Sequence, residues 1–346
     1  MRQVYAREGR GRKVRSQQNS SYLSKQLDEQ LLERPIMSKI QWTEQTWNPI
    51  VGCTRVMNGD PAMSGCLHCY AMRQAYRNQA MGLRGYQEIA KKTSQGEIVW
   101  TGTVNLVLEA LAKPLRRRKP TMWFVNSMSD LFHESVSFDL INLIFGIMAL
   151  CPQHTFQVLT KRPERMLDWI CQTDRDDWCN AIIHYAWDYV ADKVGGTFNL
   201  DTAIRQPGFP LPNCWLGVSV ETQAAADQRI PFLLSTPAAL RFLSCEPLLA
   251  PLDLTIANAL DRGIDWVIVG GESGHNARFC SSDWVYSIVN QCRCADIPVY
   301  IKQLGTVWVK QSGTHRIDIK GADPRVWAED LRIREFPSVG DHICAS

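Results

Sequence analysis

Short apolar, β-rich runs alternate along this chain with stretches that read as helices, and that alternation sets the expected fold class. The apolar runs are EIVWTGTVNLVLE, TMWFVNSMSD, HTFQVLTKRP, CWLGVSVET, LRFLSCEPLL, DWVIVGGESG and PVYIKQLG. They are rich in β-branched and aromatic residues, and most end in polar or glycine-bearing positions, as strands do. Between them lie FDLINLIFGIMAL, PERMLDWICQ, TQAAADQRIPFLL and SDWVYSIVNQCRCA, which have the length and spacing of helices. Strands alternating with helices predict a parallel sheet with helical crossovers. With the short stretch before Cys53, about eight strands are expected, so the predicted fold is α/β, a full or partial (β/α) barrel. An open α/β sheet is the alternative. The span from Lys39 to Gly305 suits a barrel, for which roughly 250 residues is typical.

In a parallel barrel the C-terminal strand ends converge on one mouth, so the residues that close each apolar run are the candidate site. They are Asn126, Ser127 and Asp130 after one run, Lys161 after the next, then Glu221, Glu246, Glu272 and Lys302. Asp130 and Lys161 are candidate substrate contacts, with Lys161 suited to a carboxylate or phosphate. Asn126 and Ser127 suit ribose hydroxyls, and Glu221 and Glu246 suit amino or ribose groups. Glu272 lies in VGGESG, where glycines permit close backbone approach. Lys302 would complete the mouth. Each of these residues alone can equally be a helix cap or turn group; their recurrence is what points to a site.

Outside residues 39–305 the rhythm changes. Residues 1–38 read as a basic, flexible N-terminal extension; before residue 16, Arg2, Arg7, Arg10, Arg12, Lys13 and Arg15 face only Glu8. Such a segment is either an arm for phosphate backbones or a loose terminus. Residues 171–212 interrupt the order as an insertion, a lid or partner surface or a plain structural element. Residues 306–346 read as an exposed, partly ordered extension. The net charge of the 346-residue chain is only +3, which excludes a strongly basic nucleic-acid binder as a whole. No apolar run is long enough to cross a membrane, and the twelve cysteines are scattered through a large chain, so a reduced, cytoplasmic setting is expected.

The most specific chemistry lies in WNPIVGCTRVMNGDPAMSGCLHCYA, where twelve residues separate Cys53 from Cys66 and two separate Cys66 from Cys69. Three thiolates can hold an iron–sulfur cluster and leave one iron open to a substrate or cofactor. Zinc is the alternative, with His68 or another residue as a fourth ligand. Unligated structural cysteines are the third reading. Tyr70, directly after Cys69, either packs beside a cluster or bound cofactor or belongs to the core of the next helix.

WTEQTWNPIVGC and GCLHCYA, followed in order by FVNSMSDLFH, VLTKRPERM, WLGVSVET, LSCEPLL, VGGESGHNAR and IKQLG, resemble the phage Gp37/Gp68-like family, a divergent relative of radical SAM proteins. The resemblance implies a radical-SAM-like (TIM-type) barrel, a [4Fe–4S] cluster on Cys53, Cys66 and Cys69, and binding of S-adenosyl-L-methionine. It implies reductive cleavage of that cofactor to modify an undefined substrate, such as a nucleotide or nucleic acid, with electrons from an undefined donor. The alternative is a non-catalytic iron–sulfur or zinc protein that binds nucleic acid or a protein partner. The chain departs from the common radical SAM pattern in two places. The first cysteine gap is twelve residues instead of three, and His68 stands where an aromatic residue commonly precedes the last cysteine.

Overall fold

A computed structural model describes residues 40–57, 59–185, 187, 209–255, 259–314 and 317–338. Its centre is a sheet of seven parallel strands: β1 (Gln45–Trp47), β6 (Met122–Val125), β7 (Thr155–Thr160), β8 (Cys214–Ser219), β9 (Leu240–Cys245), β10 (Trp266–Gly270) and β11 (Val299–Gln303), hydrogen-bonded in that order. Each crossover advances the chain by one strand, and the sheet curls into an open half-barrel flanked by helices. The expected α/β barrel is thus a partial one, with β1 and β11 at its two edges.

The helices expected between the strands are present as α3 (Phe138–Ala149), α4 (Pro163–Ile170), α6 (Gln223–Ser235) and α7 (Ser282–Cys294). Ser137 caps α3 by accepting from the Leu140 N–H, and Thr222 caps α6 by accepting from Ala225. Among the described residues, four further α-helices are α1 (Tyr70–Ala80), α2 (Leu108–Leu111), α5 (Arg175–Tyr185) and α8 (Thr306–Ser312).

Side chains alternate across the sheet with period two and fill both faces. The outward set, including Trp123, Val158, Leu216, Leu243, Val267 and Ile301, packs under the helices. The inward set is a separate aromatic plug: Phe124, Trp215, Phe242, Trp266 and Tyr300, with Trp42 inserted from below β1. Trp42 stands 4.6 Å from Phe124 and 6.3 Å from Trp266 between ring centroids. Room for this plug depends on Gly217 in β8, where a Cβ would meet the Phe242 ring at 2.5 Å. The barrel axis is therefore packed solid below, and the space for chemistry lies at the mouth.

Two expectations need correction, and one open choice, at 171–212, is narrowed. The run EIVWTGTVNLVLE does not supply a barrel strand. It divides into β4 (Ile98–Trp100), paired antiparallel with β3 (Ala90–Lys92), and β5 (Asn105–Leu106), paired antiparallel with β2 (Ile50–Val51). Gly102, with φ of +91°, lies between the two halves of the run. The described part of the 171–212 segment is a packed structural layer. Trp178 and Ile182 of α5 are fully buried, and a Cβ on Gly146 of α3 would lie 2.8 Å from Ile182. The described part of the tail is not exposed either. Phe336 stacks on Trp266 at 5.4 Å, the Trp266 Nε1–H donates to the Glu335 carbonyl, and Trp327 and Leu331 are buried. Residues 334 and 300 form a β-bridge, so the tail covers the β11 edge. The basic residues 2–15 lie outside the described residues, as does most of 186–208. No helix among the described residues is long and apolar enough to cross a membrane.

Candidate functional site

The loop that carries Cys53, Cys66 and Cys69 lies over the C-terminal ends of the strands. Its closest approach is at Gly65, where a Cβ would stand 3.0 Å from Lys161 Nζ, 3.1 Å from Pro247 and 3.2 Å from the Glu221 carboxyl carbon. A side chain here would press on Lys161, Pro247 and Glu221, so glycine lets the loop settle between the ends of β7, β8 and β9 without displacing them.

Four clusters of charged side chains occupy the mouth, and three of them hold the loop. Glu221 accepts from the Gly65 N–H at 3.0 Å, from Lys161 Nζ at 2.8 Å and from Arg229 Nη1 at 2.8 Å. Burial opposes its ionisation, but Lys161, Arg229 and the Gly65 amide outweigh that and hold the carboxyl at about 2. Glu272 takes Arg278 as a two-pronged partner, at 2.7 Å through Nη2 and 2.9 Å through Nε, and bonds to His68 Nδ1 at 3.2 Å. Burial again works against the charged form and is overcome by Arg278 and His68, which lower the Glu272 carboxyl. The free prong of Arg278 donates to the carbonyls of Ala62 and Ser64 in the cysteine loop, at 2.6 and 3.0 Å.

Asp130 anchors the third cluster. Its carboxylate accepts from the Phe132 N–H, Thr160 Oγ1, the Lys161 N–H and Arg162 Nη1, at 3.0, 2.7, 3.1 and 3.0 Å. Four donors saturate a carboxylate, so Asp130 organises Arg162 and has no lone pair left for a substrate. Arg162 in turn donates to Glu134 at 2.8 Å and to Thr54 Oγ1 at 2.7 Å, and its Nη1 stands 4.0 Å from Cys53 Sγ. The buried His133 Nδ1 accepts from the Ser135 N–H, so Nε2 carries the proton and donates to Thr54 Oγ1 at 2.9 Å. The fourth cluster is the pair Lys302–Glu246, joined at 2.5 Å beside Pro247.

Other candidates of the sequence sit as braces. Asn126 has φ of +57° and is buried in the turn after β6, where it accepts from the Ile50 N–H at 3.4 Å. Ser127 Oγ donates to Asn48 at 3.1 Å, and its carbonyl accepts from the Tyr70 hydroxyl at 3.0 Å. Tyr70 is 55% exposed and is not a core residue of α1; it links that helix to the β6 turn.

The three cysteines are partly buried and none is in a disulfide. Burial, reinforced by Asp130, pushes the Cys53 thiol up to about 12 against the pull of Arg162. Burial and the neighbouring Cys66 raise Cys69, while the amides of Ala71 and Met72 at the start of α1 act in the other direction. All three thiols are close enough to influence one another's charge. Among the described residues, no group of three or more His, Cys, Asp or Glu converges on a point that a single metal ion could occupy. A lone zinc needs its thiolates in one shell at roughly 2.3 Å from the metal. A four-iron cluster distributes its ligands over separate irons and accepts a wider spread of thiolates. His68 meets Glu272 through Nδ1 only, so its Nε2 stays available as a donor, and the residue types present suit either a cluster on three cysteines or a zinc ion. A cavity of about 460 Å³ flanks the network on the side of Lys161, Arg162 and Arg229.

Sequence reasoning missed Arg229, Arg278 and His133 as members of this network. Arg229 lies among Ala225, Ala226, Ile230 and Leu233 on the buried side of α6, and a lone charge in that apolar stripe was the available signal. Arg278 follows the VGGESG turn by a few residues, and nothing local distinguishes it from a solvated arginine.

No curated protein and no solved structure matches the chain. Residues 37–330 match the family described as protein of unknown function (DUF5131). A match over that much of the 346 residues shows that the chain belongs to the DUF5131 family.

Proposed function

We propose that this protein is a radical-SAM-like enzyme in which Cys53, Cys66 and Cys69 hold a [4Fe–4S] cluster at the mouth of a parallel half-barrel. The observation that carries the reading is the loop itself: three thiols presented over the strand ends and secured there by Glu221, Arg278 and Arg162. When bound, such a cluster supplies the electron for reductive cleavage of S-adenosyl-L-methionine. The chain's own residues would fix the position of the thiols, neutralise charge beside Cys53 through Arg162, and shut the barrel axis to water through the aromatic plug. The substrate class proposed is a nucleotide or nucleic acid, and the electron donor is a separate reductant.

A second reading has a specific observation behind it. Glu221, Glu272, Asp130 and Lys161 are already joined to protein partners, so the mouth holds fewer free polar groups than its sequence promised. That suits a cluster protein whose mouth is a scaffold for binding without turnover.

One experiment separates the two. The protein is reconstituted anaerobically with iron and sulfide, and iron content and dithionite-dependent 5′-deoxyadenosine are measured beside Cys53→Ala, Cys66→Ala and Cys69→Ala. The enzyme reading expects about four irons per chain, product from the wild type, and loss of both in the variants. A full cluster that yields no product, with nucleotide and oligonucleotide added, would favour the binding role. Failure of the wild type to retain iron would remove both.

A further inference from the structure

A cavity of about 310 Å³ lies beside Cys69, at the first turn of α1. The cysteine loop contributes Arg55 and His68 to its lining, α1 contributes Arg73, the β3–β4 turn contributes Gln95 and Glu97, and the loop after β10 contributes Asn276. The arginines here differ from the rest of the mouth. Arg162, Arg229 and Arg278 are each joined to a carboxylate. Neither Arg55 nor Arg73 has such a partner among the described residues. The Nε of Arg55 is closed off from solvent and has no hydrogen-bond partner among the described residues, an unfavourable state for a charged donor. Glu97 is the one acid among the described lining residues and is exposed, so two guanidinium groups from separate elements accompany one carboxylate at the rim.

We infer that this cavity binds the phosphate group of a small ligand, with Arg55 as the principal contact and Arg73 as the second. Guanidinium groups present paired, coplanar N–H donors that match phosphate oxygens, and two of them match a dianion better than a singly charged carboxylate. The amide side chains of Gln95 and Asn276 supply neutral donors at the edge. A volume of about 310 Å³ is at the lower end for small-molecule sites and suits a mononucleotide-sized ligand, not a folded nucleic acid. The site requires neither a cluster nor turnover, so it goes beyond the radical-SAM reading and can fail or hold separately from it.

The test is calorimetric titration of the full chain, as purified, with adenosine 5′-monophosphate, inorganic phosphate, adenosine and acetate. Saturable binding of the monophosphate is expected, at least tenfold tighter than adenosine, with inorganic phosphate competing and acetate not. Arg55→Gln should weaken the monophosphate at least tenfold, and Arg73→Gln severalfold. Arg73 is exposed, so its replacement leaves the fold intact and keeps the test valid if Arg55→Gln unfolds. No saturable binding to the wild type overturns the inference. So does wild-type affinity in Arg73→Gln together with a folded Arg55→Gln, and so does acetate competing as well as phosphate.

Discussion

Replacing Glu221 with glutamine tests whether the ion cluster beneath Gly65 holds the mouth together. The side chain is 3% exposed and its carboxyl is held at about 2, against an ordinary value of 4.5. A depression of that size corresponds to about 3 kcal/mol of stability at pH 7. Removing one partner from a buried ion pair costs about 3–5 kcal/mol, an independent estimate of the same order. Because the folded value is depressed, the contribution is complete above the unfolded value near 4.5 and is lost as pH falls toward 2. The difference between wild type and Glu221→Gln should therefore be about 3 kcal/mol at pH 7, should shrink by about 1 kcal/mol at pH 4, and by about 2 kcal/mol at pH 3. Urea unfolding followed by tryptophan fluorescence at these pH values measures it. The amide oxygen introduced by the substitution can still accept from the Gly65 N–H, so the loss isolates the charge of Lys161 and Arg229 from the backbone contact. A cost below about 1 kcal/mol at pH 7, or a difference that stays constant to pH 3, would refute the reasoning.

Three further outcomes follow from the same geometry. Gly217→Ala forces a methyl group into the Phe242 ring and should cost about 1–3 kcal/mol, seen as a lower thermal midpoint; an unchanged midpoint would mean that the aromatic plug is looser than described. Arg278→Ala removes both the partner of Glu272 and the donor to Ala62 and Ser64, so hydrogen exchange across residues 60–66 should accelerate while the β8 and β9 amides keep their protection. In the metal-free protein, Cys53 should be alkylated by iodoacetamide at pH 8 about a hundredfold more slowly than an ordinary free thiol, because its small thiolate fraction outweighs its higher nucleophilicity. Alkylation at the ordinary rate, read by mass spectrometry, would show that the thiol is open to solvent.

Much of this protein was legible along the chain. Six of the seven barrel strands coincide with apolar runs read from sequence, because a buried parallel strand must be apolar on both faces. The four principal helices coincide with stretches read as helices; α4 and α7 bury one apolar stripe each, whereas α3 is buried on all sides from Ile141 to Ala149. The cysteine spacing and the polar residues at strand ends were equally visible, since parallel winding alone brings those ends to one mouth. The tertiary structure decided what each of those residues does there. Whether Asp130 faces a ligand or Arg162, whether Glu221 is open or held by Lys161 and Arg229, and whether Trp266 is covered by Phe336 all depend on partners that the local sequence does not announce. The run at 97–109 shows the same limit from the other side, because its apolar pattern suits a strand in any sheet and only its neighbours assigned it to two small antiparallel ladders. Local periodicity specifies which backbone forms. The choice between a substrate contact and a brace is made by long-range charge pairing, which leaves little trace in the sequence near the residue; the lone charge of Arg229 in an apolar stripe is the exception.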